Sequence, residues 1–140
     1  MNYWLIKSDP ETYGWEELMK EKKTQWTGIR NYQARNNIKL MKKGDEVLFY
    51  HSNEGTHVVG IAKVVKEFYQ DPTTKEAAWV CMDVSPVRKL KRAVGLQEMK
   101  GNSALKNLLL LRNGRLSVMP VTKPEFDVII DLSNDLKNSK

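Results

Sequence analysis

The chain has 140 residues, of which 41% are hydrophobic and 29% are charged, as expected for one globular domain with its own core. The 23 Lys and Arg residues exceed the 17 Asp and Glu residues, and the net charge of +6 favours a polyanionic partner. A single cysteine, Cys81, excludes an internal disulfide and a Cys-rich zinc site.

The N-terminus lacks the basic and apolar regions of a signal peptide, and no apolar run approaches the ~18–20 residues of a membrane span. We therefore expect a cytoplasmic protein with no membrane partner.

The first quarter of the chain predicts a strand, a short helix and a loop. Residues 3–6 are an apolar run that indicates a buried strand, and the Asp-Pro pair in residues 9–12 indicates a turn. Residues 15–19 place apolar side chains on one helical face. We expect residues 20–24 to form an exposed polar loop.

Residues 26–37 contain the most unusual composition in the chain: one Trp, one Tyr, two Arg, one Gln and three Asn. Asn31 is a plausible N-cap for a helix over residues 32–42, with Gly44 as the C′ residue. Rings, guanidinium groups and amides near a helix start suit a small planar polar ligand, such as a nucleobase.

The remainder predicts strands and short helices around this segment. Gly60 marks a bend in a long strand, and Pro86 ends a later one. Thr122 and Glu125 have the spacing of a capping box. The predicted strands are residues 46–52, 58–68, 79–84, 87–94 (as an edge strand) and 116–121, and the predicted helices are residues 96–99, 104–111 and 122–130.

These elements predict an α+β domain of about five to six mostly antiparallel strands, arranged as a small mixed barrel with short flanking helices. The domain is expected to span residues 1–132, followed by a polar tail at residues 133–140.

Each candidate side chain has a structural alternative. Trp26 either stacks on a base or packs in the core. Arg30 either clamps a phosphate or base edge, or forms an ion pair. Asn31 is also a helix cap, and Tyr32 and Gln33 either reach a ligand with their polar tips or are partly buried.

A basic cluster follows in residues 88–92. Its cations either contact a nucleic-acid backbone or protect an edge strand from pairing. Arg35, in the middle of the predicted helix, is a further candidate for backbone contact or is structural. The cluster consists of Arg88, Lys89, Lys91 and Arg92.

The sequence offers little support for catalysis. His51 and Ser52 are adjacent on a predicted strand, so their side chains point to opposite faces and cannot form a nucleophile–base pair. Cys81 lies at a strand centre, where thiols are usually inert. We find no metal-ligand spacing and no Gly-rich phosphate loop, and we expect no catalytic residue, metal or cofactor. An enzyme that uses His51 or Cys81 remains a rival hypothesis.

Four segments together resemble the EVE domain family: residues 3–10, 26–37, 41–45 and 50–53. Residues 111–121 resemble the final strand of that family, so the resemblance extends over residues 3–132. It implies a PUA-like pseudo-barrel, similar also to YTH domains, which hold a methylated adenine in an aromatic cage.

The resemblance further implies a non-catalytic module that binds a methylated or hydroxymethylated cytosine in DNA or RNA. The base would be single-stranded or flipped out of a duplex, and a separate effector protein could act with the module. The alternative is a sensor of a free nucleoside or metabolite.

Carried over to this chain, the resemblance makes Trp26 a wall of the base pocket. The residues expected to line the pocket or close its sides are Lys7, Ser8, Arg30, Asn31, Tyr32, Gln33, Ser52, Asn53, Ser117 and Pro120. Two positions depart from the family pattern, because Asp9 replaces the usual Glu and Thr27 a common Asp.

Overall fold

The computed structural model describes residues 1–53 and 55–135, which form a sheet flanked by short helices. The strands are β1 (Tyr3–Ser8), β2 (Thr24–Gln25), β3 (Glu46–His51), β4 (His57–Gln70), β5 (Val80–Gly95) and β6 (Val118–Val121). The helices are α1 (Trp15–Glu21), α2 (Tyr32–Leu40), α3 (Leu96–Lys100), α4 (Leu109–Arg112) and α5 (Lys123–Asn134), with a 3-10 turn at Ser103–Leu105.

The six strands form one mixed sheet in the order β2-β5-β4-β3-β1-β6. Strand β1 is parallel to β3, and the other neighbours pair antiparallel. The predicted α+β class with mostly antiparallel strands is confirmed. The sheet is open rather than closed into a barrel, with β2 and β6 at its two edges.

Strand β1 is buried because it lies inside the sheet, between β3 and β6. Its central residues Trp4, Leu5 and Ile6 are at most 3% exposed, so both faces of the strand contact apolar side chains. The apolar run in the sequence correctly predicts this position.

Helix α2 begins where its capping signal predicts. Asn31 Oδ1 accepts a hydrogen bond from the Ala34 N–H at 2.9 Å, and Ala34 and Ile38, four residues apart, are fully buried. The helix ends at Leu40, two residues earlier than predicted. Gly44, with φ +95°, lies in the turn beyond it and is not its C′ residue.

The predicted boundary at Pro86 is wrong, because β5 continues through it from Val80 to Gly95. The register moves from Ala62 opposite Pro86 to Ile61 opposite Arg88, which leaves Val87 as an extra residue. A β-bulge is one of the places where a sheet tolerates proline. Residues 87–94 are thus the second half of one long strand.

Three shorter predictions also need correction. Helix α1 extends to Glu21 and β2 begins at Thr24, so little of the predicted loop over residues 20–24 remains. The predicted helix over residues 104–111 is divided into the 3-10 turn and α4.

Helix α5 continues to Asn134, beyond the predicted end of the domain. Ser133 is buried in its last turn and donates to the Ile130 carbonyl at 2.5 Å. Residues 136–140 of the predicted tail lie outside the described residues.

Gly60 marks an irregular point of β4, as predicted, and its reason is a close contact with α1. A Cβ atom at Gly60 would lie 2.5 Å from Trp15 Cη2, so a side chain has no space there. The ring of Trp15 is 2% exposed and packs edge-on against Phe49, with ring centroids 5.4 Å apart. Glycine at this position allows the first helix to contact the sheet.

We expect Gly60→Ala to lower the free energy of unfolding by about 1–3 kcal/mol, because the new methyl group must displace a packed ring. Gly114→Ala is the matched control, since a Cβ there meets no atom within 4 Å. Urea unfolding of both variants checks this. Equal stability of Gly60→Ala and Gly114→Ala would contradict the proposed packing constraint.

Candidate functional site

A cavity of about 430 Å³ opens beside the end of β1. This volume lies within the ~300–1,000 Å³ typical of small-ligand sites. Its walls come from the end of β1, the turn before α1 and the segment around β2. The lining residues are Lys7, Ser8, Asp9, Thr12, Tyr13, Thr24, Gln25, Trp26, Thr27 and Ile29.

Two aromatic rings form a corner of the cavity. The rings of Tyr13 and Trp26 have centroids 6.0 Å apart and an interplanar angle of 80°. Trp26 is only 8% exposed, because it also packs edge-on against Phe49 at 5.7 Å. Trp26 is therefore a core residue that also forms part of the cavity wall, and its stacking on a base stays a prediction.

Strand pairing fixes the position of Trp26. Thr24 and Gln25 pair with Val84 and Asp83, and the Trp26 N–H donates to the Met82 carbonyl at 2.8 Å. The backbone of Trp26 is thereby bound to β5, the longest strand of the sheet, and this fixes where the indole ring lies.

Lys7 and Ser8 bring polar groups to the same cavity. Lys7 Nζ donates to the Gly114 carbonyl at 2.9 Å, and burial lowers the pKa of this ammonium group. The Ser8 hydroxyl donates to the Tyr13 carbonyl and so connects β1 to the aromatic corner. Ser117 supports this end of β1 through its carbonyl, which accepts from the Lys7 N–H at 3.0 Å.

Asp9 supplies a carboxylate at the cavity edge. Its Oδ1 accepts from the Glu11 N–H at 3.0 Å, and its Oδ2 accepts from Asn53 Nδ2 at 2.8 Å. Each carboxylate oxygen can accept more than one hydrogen bond, so capacity for a ligand amine remains. Asn53 orients this group from outside the cavity, and Ser52 contacts β1 through its N–H, which donates to the Ser8 carbonyl at 2.9 Å.

Arg30 lies beyond the cavity in a structural ion pair. Its Nη1 is 3.1 Å from Asp71 Oδ2, and its Nη2 donates to Thr73 Oγ1 at 3.1 Å. The Asp71 side chain is fully buried and also accepts from the Gly28 N–H at 2.8 Å and from Thr73. This arrangement holds the turn at Gly28, where φ is +84°.

The first turn of α2 also lies outside the cavity. The side chain of Asn31 is used as the helix cap, and Gln33 is exposed. Tyr32 is 63% exposed and packs against Trp79, with ring centroids 4.9 Å apart. Pro120 lines a separate groove on the β1–β6 side, together with Tyr3 and other residues.

The basic residues of β5 differ in their surroundings. Arg88, Lys89 and Lys91 are exposed, and Lys89 Nζ lies 3.8 Å from Glu16. Arg92 is instead bound by the Glu98 carboxylate at 2.6 Å and by the Leu132 carbonyl at 2.7 Å. The hydrogen bond to Glu98 raises the pKa of Arg92, so this side chain serves to join β5, α3 and α5.

The two candidate catalytic side chains, His51 and Cys81, lie in environments that suit structural roles. His51 Nε2 accepts from the Trp15 N–H at 3.0 Å, and burial lowers the pKa of this imidazole. Cys81 is buried, and burial raises the pKa of its thiol, which disfavours the thiolate. Within residues 1–53 and 55–135, no group of three or more His, Cys, Asp or Glu side chains is arranged to hold a metal ion.

Sequence reasoning did not assign seven residues of the cavity wall to the site. Asp9, Thr12 and Tyr13 lie in or next to the Asp-Pro turn, while Thr24, Gln25, Thr27 and Ile29 flank Trp26. The available signal was proximity in sequence to the two family-like segments. It could not show which side chains of those segments face the cavity.

The open mixed sheet with flanking helices defines a small α+β domain, and a cavity with two aromatic rings lies at the end of its first strand. The model of the EVE domain matches residues 2–132, and the chain belongs to the EVE domain family.

Thymocyte nuclear protein 1 of Mus musculus is 39% identical over 165 aligned positions, which cover 94% of this chain and 73% of that protein. A hypothetical protein from Leishmania major is 37% identical with a TM-score of 0.93, covering 99% of this chain and 98% of that chain. The human THYN1 protein, solved in complex with 5-methylcytosine-containing DNA, is 36% identical with a TM-score of 0.91, covering 96% of this chain and 99% of its own.

A YTH domain from Zygosaccharomyces rouxii, in complex with N6-methyladenosine RNA, has a TM-score of 0.59 at 15% identity and covers 96% of this chain and 87% of its own. It shows a shared fold. In the described part of the chain, no helix is long and apolar enough to cross a membrane.

We expect Asp71→Asn to destabilise the protein in a pH-dependent manner. Burial alone would raise the pKa of Asp71, but hydrogen bonds from Thr73, Gly28 and Arg30 outweigh burial and lower it to about 2. A pKa lowered on folding contributes stability above about pH 4 that is lost as the pH falls towards 2. The variant should be less stable by about 2 kcal/mol at pH 7, and the difference should decrease below pH 4.

Urea unfolding at pH 7, 4 and 2.5 measures this difference. Asp127→Asn is the control, because Asp127 is an exposed carboxylate bound to an exposed Lys123 and such pairs contribute ~0–1 kcal/mol. A gap between wild type and Asp71→Asn that stays constant with pH would exclude the charged carboxylate as its cause.

Proposed function

We propose that this domain binds a methylated or hydroxymethylated cytosine of a nucleic acid in the cavity at the end of β1, without catalysing a reaction. The observation that carries the proposal is the perpendicular pair of Tyr13 and Trp26 rings beside the polar groups of Lys7 and Asp9. It is supported by the human THYN1 protein, a structural relative that binds DNA containing 5-methylcytosine.

The aromatic corner suits the apolar surfaces of a base. One ring stacks on the base face and the perpendicular ring contacts its edge, and each stack contributes ~1–3 kcal/mol. Trp26 is fixed by its packing against Phe49, so little side-chain entropy is lost when the base binds.

The polar groups suit the hydrogen-bonding edge of cytosine. The Asp9 carboxylate accepts from the exocyclic amine, the standard carboxylate contact to this base. Lys7 Nζ has three N–H donors and uses one on the Gly114 carbonyl, so it can donate to the base carbonyl. Gln25 Nε2 donates to the Tyr69 hydroxyl at 2.9 Å, and its carbonyl remains available as an acceptor.

The methyl group supplies a modest part of the selectivity. One buried methyl or methylene group is worth ~1–3 kcal/mol of discrimination. Extracting a paired base costs a few kcal/mol, so a base in a single strand should bind more tightly than the same base in a duplex.

We expect the wild-type protein to bind single-stranded DNA containing one 5-methylcytosine or 5-hydroxymethylcytosine more tightly than matched DNA containing cytosine. Tyr13→Ala should lower the affinity for the modified DNA and so reduce that preference, because it removes one wall of the cavity around the base. A stack of ~1–3 kcal/mol corresponds to a loss of about 5- to 150-fold in affinity. Fluorescence anisotropy at fixed salt measures both affinities.

Tyr13→Phe is the matched control, since it keeps the ring and removes the hydroxyl that donates to Glu21 Oε1 at 2.6 Å. Trp26→Ala is a poorer test, because loss of a buried Trp costs ~3–5 kcal/mol of stability. Equal affinity of wild type for modified and unmodified DNA would contradict the proposal. A rise in melting temperature with free nucleoside but no binding to DNA would favour the sensor hypothesis.

A further inference from the structure

We propose that the exposed face of α2 binds the nucleic-acid strand that continues from the base cavity; this rests on the proposed function. We define the α2 face as Tyr32, Arg35 and Lys39, together with the Phe68 and Trp79 rings that lie against them. Its partner is a single-stranded nucleic acid, whose bases stack on the rings and whose phosphates pair with the cations.

Helical periodicity brings the three α2 side chains together. Tyr32, Arg35 and Lys39 follow at intervals of three and four residues, so they share one side of the helix. Ala34 and Ile38 are fully buried, and they point about 100° around the helix axis from Arg35 and Lys39. The polar and aromatic side of α2 is therefore turned away from the core.

The α2 face alternates rings and cations. The Arg35 Cζ atom lies 4.9 Å from the centroid of the Tyr32 ring, and Lys39 Nζ lies 6.0 Å from that of the Phe68 ring. Tyr32 also packs against Trp79 at 4.9 Å. Interleaved rings and cations of this kind are typical of surfaces that bind single strands.

The exposure of these rings points to a partner. Tyr32 is 63% exposed and Phe68 is 44% exposed, and each lies next to a cation. A flat partner that carries negative charge can cover such rings and neutralise the adjacent cations at the same time. Bases and phosphates have both properties.

The charge of Arg35 is available to such a partner. Its guanidinium donates to Asn36 Oδ1 at 2.8 and 3.1 Å and to the Ala78 carbonyl at 3.3 Å, which are neutral acceptors. Arg30, by contrast, is neutralised by Asp71. The Glu76 carboxylate is occupied by Trp79, whose Nε1 donates to it at 2.8 Å.

The α2 face also begins close to the cavity along the chain. Ile29 lines the cavity, and Tyr32 is three residues further along the chain, within ~10 Å even when fully extended. The nine residues of α2 span about 13 Å, which matches about four nucleotides at the ~3.4 Å per nucleotide of a duplex strand. A strand that leaves the cavity can therefore follow the helix.

The test uses two 12-nucleotide single-stranded DNAs that differ only in one central cytosine or 5-methylcytosine. Arg35→Gln/Lys39→Gln removes two cations of the α2 face, and the matched control Lys100→Gln/Lys106→Gln removes two exposed cations that belong to neither the α2 face nor the cavity. For single strands, each phosphate contact contributes about 0.7 to the salt slope of the affinity, or about 5-fold at 0.1 M salt. The α2 double variant should lose about 1.4 in slope and about 25-fold in affinity for both DNAs.

Tyr32→Leu should lower the affinity for both DNAs by about 5-fold or more without changing the salt slope, because it removes a stack and no charge. The ratio of methylated to unmethylated affinity should stay at the wild-type value in all these variants.

An unchanged slope in Arg35→Gln/Lys39→Gln, or an equal loss in the Lys100→Gln/Lys106→Gln control, would overturn the role of the α2 face. A changed ratio of methylated to unmethylated affinity, with an unchanged salt slope, would also overturn it. The α2 face would then contact the modified base rather than the strand. Failure of the proposed base recognition has a different result: the wild type would show no preference for 5-methylcytosine, while the slope comparison would still test the α2 face.

Discussion

The buried carboxylate of Asp71 is the interaction on which the candidate site depends. Its Oδ2 atom accepts hydrogen bonds from Gly28 and Arg30, which lie on either side of Ile29. Its Oδ1 atom accepts from the N–H and hydroxyl of Thr73, in the turn before β5. The segment after Trp26 has a left-handed residue at Gly28 and few sheet contacts of its own, so this charge fixes its path. One carboxylate thereby sets both the wall of the cavity and the direction in which α2 begins.

The fold is largely readable from the sequence where its causes are local. Apolar runs identify the strands, and the Asn31 cap with the Ala34–Ile38 spacing identifies α2, because each signal acts within a few residues. The continuity of β5 is not readable, since Pro86 normally ends a strand and the bulge that accommodates it depends on the register with β4. The partner of Arg30 is 41 residues distant, so its ion pair required the structure.

The site can be predicted from the sequence only in part, because local patterns identify its segments but not the direction in which each side chain points. Lys7, Ser8 and Trp26 come from segments with a family-like pattern, and all three line the cavity. Tyr32 and Gln33 belong to the same segment as Trp26, but the helix that starts at Asn31 carries them to another surface. The Trp26 ring is buried and held in place, which suits selection of one base over another. The Tyr32 ring is exposed, which suits a contact that adapts to different bases.

The place of β1 inside the sheet affects how the chain can fold during synthesis. Trp4 pairs with Val47 in β3 and with Pro120 in β6, so the first strand of the sheet to be synthesised needs the last strand of the sheet to complete its hydrogen bonds. Pairings between distant segments slow folding, because a long loop must close before the contacts form. Until residue 121 is available, Leu5 and Ile6 lie at an unpaired sheet edge, the kind of surface that chaperones protect from aggregation.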